Sequence, residues 1–179
     1  GNHEIRGFYS AALPSLLDQP GGKTYGAFSW GDTRFVILDC GEDKPDDQSV
    51  YYGLNDFSAF RQQQYDFLKE EKKSRDFKSA NRRVLVNHIP LWGNDDKYQP
   101  SSELWTPLLK EGSFDIGLSG HTHRFRYHPA EDVSNPFPIC IGGAPNVSSA
   151  TMMVLSKKGN SLSLRVLNAK GEELGAWSL

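Results

Sequence analysis

Val84-Leu85-Val86-Asn87-His88-Ile89-Pro90 is the stretch on which the reading of the whole chain turns. Valines and leucine in an unbroken run, preceded by Arg83, describe a short buried strand. Pro90 lacks an N–H and restrains Ile89 before it, so the strand stops at once. The last side chain delivered before that stop is the imidazole of His88. A histidine at a strand end, on the way into a loop, sits where ligands are usually met.

The same design recurs downstream. Phe114-Asp115-Ile116-Gly117-Leu118-Ser119 reads as a second buried strand, and it runs directly into Gly120-His121-Thr122-His123. Upstream, the chain opens on Gly1-Asn2-His3-Glu4, three of whose side chains are capable of chemistry. With five histidines and 17 glycines in 179 residues, a Gly-His-x-His run arises by chance only about 0.013 times. Coincidence is therefore a poor account of it.

Between these blocks the pattern alternates. Residues 5–17 mix apolar residues and small helix formers, which predicts a short helix or irregular turn. Residues 25–30 and 33–38 are β-type runs separated by Gly31-Asp32, a two-residue hairpin signal, and the second run lacks alternation and is covered on both faces. Residues 41–55 are acidic and aperiodic, as in a long surface loop bordering a site. Residues 58–73 carry Phe60, Tyr65, Phe67 and Leu68 among charges, an amphipathic helix followed by solvated basic surface. Residues 101–109 predict a short helix. Runs at 125–128, 136–141, 151–155, 161–167 and 174–177, with turns at Lys158-Gly159-Asn160 and Lys170-Gly171, predict a β-meander tail. Helix and strand alternating first and strands dominating later give an α/β (α+β) fold in one domain, helices packed on sheets.

Composition narrows the function. A formal charge of -2 offers no basic surface for a polyanion, so nucleic acid is not the expected partner. No apolar run reaches the roughly 18 residues of a membrane span. Cys40 and Cys140 lack both disulfide-scaffold number and metal-site spacing, and read as two unpaired thiols in apolar stretches.

Imidazole suits zinc, iron, nickel and related ions, and two imidazoles one residue apart at a strand end can serve neighbouring ions. Asn2 offers an amide oxygen and His88 a third imidazole. A bridging carboxylate is what the pattern lacks, since Asp39, Asp95, Asp96 and Asp115 are present but none has telling spacing. His128 has no motif around it and reads as a surface or structural histidine. Tyr51, Tyr52, Trp92 and Asn94 fall on loops near the motif ends and could line a cleft, although ordinary packing or solvent exposure accounts better for each.

Taken in order, Gly1-Asn2-His3-Glu4, Val86-Asn87-His88-Ile89-Pro90 and Gly120-His121-Thr122-His123 resemble the last three sequence blocks of the calcineurin-like metallophosphoesterases. Glu4 and the His-x-Pro block resemble the purple acid phosphatase branch of that superfamily. The resemblance implies part of a four-layer αββα sandwich lacking its first strands, so that residues 1–179 form a truncated catalytic domain whose Asp-x-His and Gly-Asp blocks lie upstream. It implies that Asn2, His88 and His121 hold one metal and that His123 is the remaining ligand of a second. His3 becomes the catalytic, non-ligand histidine that faces substrate. Two ions of iron, manganese, zinc or nickel are expected in the intact protein, with one or none in this chain alone.

The implied reaction is hydrolysis of phosphomonoesters or phosphodiesters by in-line attack of a metal-activated hydroxide on phosphorus, with His3 as general acid. A small-molecule phosphoester is the expected partner, an extracytoplasmic location is implied by the purple acid phosphatase resemblance, and the cut surface offers an edge for dimerisation. The alternative is a non-catalytic binding or assembly module that retains at most one metal.

Overall fold

A computed structural model of the chain describes residues 1–4, 9–16 and 20–179. Of the predicted helix or turn over 5–17, the described part is helical, with a 3-10 turn at Ser10–Ala12 running into α1 (Leu13–Leu16), and the rest lies outside the described residues. The hairpin follows as β1 (Gly26–Trp30) and β2 (Thr33–Leu38), antiparallel with Trp30 opposite Thr33. Gly31 turns the corner at φ +60°, the left-handed geometry that a two-residue hairpin requires.

Next come α2 (Phe57–Glu71), α3 (Arg75–Ser79), β3 (Arg82–Asn87), α4 (Pro100–Glu111), β4 (Ile116–Ser119), β5 (Arg126–His128) and β6 (Ile139–Ile141). The chain closes with β7 (Thr151–Lys158), β8 (Ser161–Asn168) and β9 (Glu173–Ser178). Six strands form one sheet in the order β1-β2-β3-β4-β6-β5, and the last three form a second sheet in sequence order. Within the first sheet β2, β3, β4 and β6 are parallel, so their C-terminal ends emerge along one edge.

Two apolar cores separate three layers. Helices cover one face of the larger sheet through Val36, Leu38, Leu68, Leu85, Trp105 and Leu109. The other face packs on the smaller sheet through Val84, Ile116, Cys140, Leu162, Leu164 and Val166. Alternate residues of β2 and β3 thus enter different cores, which is why neither strand shows polar alternation. The class is mixed α/β, as expected.

The β-meander is shorter than expected. Strands at 126–128 and 139–141 join the larger sheet, β6 lying parallel to β4 with Leu118 opposite Cys140. Ile139, Cys140 and Ile141 are all buried, the mark of a central strand covered on both faces rather than of a meander with one wet side. The stretch after α2 also departs from solvated surface. Ser74 caps α3 by accepting the Phe77 N–H at 3.0 Å, and Phe77 is buried edge-on against Phe114.

Cys40 and Cys140 are free and buried, and burial pushes both thiols up to about 12. Among the described residues no helix is long and apolar enough to cross a membrane.

Trp105 is fully buried on α4, and its indole N–H donates to the Arg61 carbonyl on α2 at 3.2 Å. Trp105→Ala removes the largest fully buried side chain of the helix-side core, and the expected loss is about 3 to 5 kcal/mol of stability, read from the denaturant midpoint.

Candidate metal centre

Parallel strands gather their following loops at one edge of the sheet, and in open α/β sheets that edge is where ligands bind. β2 runs into Cys40-Gly41-Glu42-Asp43, β3 into His88, and β4 into Gly120-His121. The three loops meet there. The Gly120 N–H donates to the His88 carbonyl at 3.0 Å, tying two of the strand ends together. Asn87 supports the same junction, donating from its amide to the Ile89 carbonyl and accepting from Ser119 Oγ at 3.3 Å.

The rings of His88 and His121 stand edge to face with centroids 5.4 Å apart. Burial pushes the His88 imidazole down to about 4, helped by the charge of the Gly1 amino group and opposed by Glu4. At neutral pH His88 is therefore uncharged, the form that ligates metals. Glycine is required beside it, because a Cβ on Gly1 would come within 2.7 Å of the His88 ring.

His121 occupies an unusual backbone position. Its φ is +68°, and the Thr122 N–H closes a three-residue turn onto the Gly120 carbonyl at 2.7 Å. His123 also has a positive φ, +59°. Such conformations cost a non-glycine residue roughly 1 kcal/mol or more each, and clusters of them mark functional turns. The turn aims His121 Nε2 toward two carboxylates, Asp43 Oδ2 at 3.5 Å and Asp96 Oδ2 at 3.8 Å. Burial works against ionisation of Asp43, but the hydrogen bond and charge of Lys44 and the nearby His121 outweigh it and hold the carboxyl below the usual range.

Asn2 is 2% exposed. Its amide nitrogen donates to Glu42 Oε2 at 3.0 Å, while its amide oxygen is buried with no hydrogen-bond partner among the described residues. An unsatisfied buried carbonyl costs about 1 to 3 kcal/mol, so an oxygen left in that state is a natural donor for a cation. The surrounding set of neutral imidazole, amide oxygen and carboxylate suits ions of the zinc, manganese and iron type. The residues present thus fit a metal, although no three His, Cys, Asp or Glu side chains converge on one point among the described residues.

The other sequence candidates sort as follows. His3 is exposed, and His123 is exposed without a hydrogen bond or ion pair among the described residues. Glu4 is exposed and meets the amino group of Gly1. Of the four aspartates considered, Asp96 approaches His121 and Asp39 accepts the Gly41 N–H at 2.9 Å. Asp115 is structural, accepting from the Arg82 side chain at 2.5 Å and the Arg83 N–H at 2.7 Å. His128 pairs with Asp132 at 2.7 Å, as a structural histidine would. Tyr51 is buried against Phe57 and Tyr52 is exposed. Trp92 packs on Phe137 and, with Asn94, borders a cleft of about 730 Å³.

Glu42 and Asp43 are residues that the sequence did not single out, because the stretch 41–55 reads as surface. Glu42 is 2% exposed. The side chains that bury it are polar too. Arg61 of α2 donates to the carbonyls of Cys40 at 3.0 Å and Glu42 at 2.9 Å, and Gln64 pairs with the Asp39 backbone through both amide atoms. The most buried stripe of α2 is accordingly Arg61, Gln64, Leu68 and Glu71, not the aromatic face its periodicity suggested. The available clue was position: an acidic pair in the loop after a strand that precedes the two His-terminated ones.

Among curated proteins no sequence matches the chain. Solved structures do. The purple acid phosphatase PPD1 of yellow lupin seeds shares the fold at a TM-score of 0.60 and 15% identity, with 89% of this chain and 33% of that one covered. GAP50, described as the anchor in the inner membrane complex of Plasmodium, gives a TM-score of 0.53 at 15% identity, covering 87% of this chain and 52% of that one. The chain thus spans about half or less of the length of these neighbours. The family model for calcineurin-like phosphoesterases matches residues 1–125, from the Asn2 turn through the His121 turn. On that match the chain belongs to the calcineurin-like phosphoesterase family.

Proposed function

We propose that the protein is a metal-dependent phosphohydrolase acting on phosphomonoesters or phosphodiesters, with Asn2, His88 and His121 holding one metal and His123 contributing to a second. The observation that carries this reading is the buried, unpartnered amide oxygen of Asn2, held by Glu42 on the loop whose Asp43 faces His121. Members of the family typically bind metals, and ions held here would supply Lewis-acid polarisation of the ester and an activated water. This chain's own contribution is threefold. Neutral His88 and the strained His121 turn present imidazole nitrogens, Glu42 orients the Asn2 amide, and exposed His3 is free to donate a proton to the departing oxygen.

In this reading residues 1–179 alone are weakly metallated and close to inactive. The test is paired. Metal content after loading with zinc or manganese, and turnover of para-nitrophenyl phosphate, are measured for this chain and for one extended at its N-terminus. Little metal in the shorter chain and at least about 100-fold more turnover in the longer one are expected, since a two-metal clamp needs both ions. Robust turnover by residues 1–179 would overturn the incomplete-site account. A longer chain that binds one metal and turns over nothing would favour a folded binding or assembly module, a reading in keeping with the description of the Plasmodium neighbour as an anchor. An extracytoplasmic location is proposed on the likeness to the lupin phosphatase.

A further inference from the structure

A cavity of about 730 Å³ opens between α4 and the segment that follows His121. One wall is a single stripe of α4, Ser102, Thr106 and Lys110, four residues apart and so stacked along one face. The opposite wall carries Thr122, Arg124 and Arg126 at alternate positions. β5 begins at Arg126, and Tyr127 turns the other way to stack on Trp177 at 4.0 Å.

Both walls start at the candidate metal centre and lead away from it. Thr122 is the residue between His121 and His123, and Asn94 and Asp95, also lining the cleft, adjoin Asp96, 3.8 Å from His121. The first turn of α4 lies beside Glu42 and Asp43, since Ser101 and Ser102 line a small pocket with them. On the other wall Arg126 pairs with Ile141 at the metal end of β6, and His128 with Ile139 further off. Carboxylates Asp95 and Glu103 line the cleft beside Asp96 and on the first turn of α4, Arg124 and Arg126 line the wall that follows His123, and Lys110 ends the α4 stripe.

Those cations are not spoken for. Among the described residues Lys110 and Arg124 form no ion pair, and Arg126 donates to the neighbouring Phe125 carbonyl at 3.2 Å. Three exposed cations without carboxylate partners lining one concave surface repel one another, and an anion relieves that repulsion. Guanidinium groups bind carboxylate and phosphate oxygens through paired N–H donors.

Resting on the phosphohydrolase reading, we infer that this cleft receives the leaving group of the substrate and selects one that carries a second negative charge. Phosphorus sits at the metal centre and the ester-linked group runs past Thr122 and Asn94. Its own anionic end, a carboxylate or second phosphate, meets Arg124 and Arg126. Substrates with a neutral tail leave those cations unpaired.

Two non-hydrolysable probes isolate the effect in the N-terminally extended, zinc-loaded protein: phenylphosphonate, with a neutral tail, and para-phosphonobenzoate, with the same ring and a carboxylate at its far end. Binding is followed by backbone amide shifts, which report location as well as affinity. At low ionic strength para-phosphonobenzoate is expected to bind about fivefold or more tightly, the advantage shrinking with added salt. Shifts should run from Gly120–Thr122 to Arg124–His128. The double substitution Arg124→Gln/Arg126→Gln, at two exposed positions, should bring the affinity ratio of the two probes close to one. Equal affinities for both probes, each shifting Gly120–Thr122, overturn the cleft assignment and leave the phosphohydrolase reading standing. An advantage that survives the double substitution overturns it too. If neither probe shifts Gly120–Thr122, the phosphohydrolase reading falls and takes the leaving-group assignment with it.

Discussion

Replacing His3 by alanine lowers the turnover of an alkyl phosphate such as glycerol phosphate by about 10²- to 10⁴-fold in the metal-loaded, N-terminally extended protein, the range of a lost general acid. The same substitution costs far less with para-nitrophenyl phosphate. Nitrophenolate departs without needing a proton, whereas an alkoxide does not, so the penalty follows the basicity of the leaving oxygen. His3 is exposed and makes no hydrogen bond or ion pair among the described residues, so the loss should come without a change in thermal midpoint. Rates for a series of aryl and alkyl phosphates check this. An equal loss across the series would assign His3 to stabilising the transferring phosphoryl group instead, and no loss at all would remove it from the reaction.

Replacing His88 by alanine abolishes most metal binding. Outer partners of metal ligands are worth about 10- to 100-fold in affinity, so a ligand itself should cost at least about 100-fold. Elemental analysis after dialysis, or titration with a zinc-sensitive chelator, reads the change. His128→Ala is the matched comparison, since His128 pairs with Asp132 at 2.7 Å on a different strand and should leave metal content unaltered. Comparable metal in the His88→Ala and unsubstituted proteins would sink the ligand assignment. Because His88 is already neutral through burial, its removal leaves no unpaired charge behind, and any loss of metal is attributable to the missing nitrogen.

The strands were largely legible beforehand. Runs at 33–38, 83–88 and 114–119 are apolar on both sides because each lies between two cores, and a residue pattern of that kind survives in one dimension. The hairpin at Gly31-Asp32 was legible for the same local reason, since its φ of +60° is demanded by the turn alone. What misled was the tail. Ile139-Cys140-Ile141 has the length of a meander strand, and whether it pairs with its sequence neighbour or crosses to β4 is settled by where a long connection returns, which no local pattern encodes.

The buried polar face of α2 was equally hidden. Arg61, Gln64 and Glu71 have the composition of a wet helix surface. They are interior because each finds partners on other segments: Arg61 at the Cys40 and Glu42 carbonyls, Gln64 at Asp39, and Glu71 at Arg34 Nε, 2.7 Å away. Burial of a polar group depends on a partner distant in sequence, so composition is silent about it.

The candidate centre divides along the same line. From the sequence alone come Asn2, His88, His121 and His123, because strand ends and glycine-flanked histidines are local features, and so does the family, because its blocks occur in order. Tertiary structure alone supplies the rest. Parallel pairing of β2, β3 and β4 brings three loops to one edge, and α2 then presses Glu42 onto Asn2 and points Asp43 at His121. Ligand identity is a property of residues. The geometry in which ligands and carboxylates meet is a property of strand order, which arises only when apolar faces far apart in the chain are buried together.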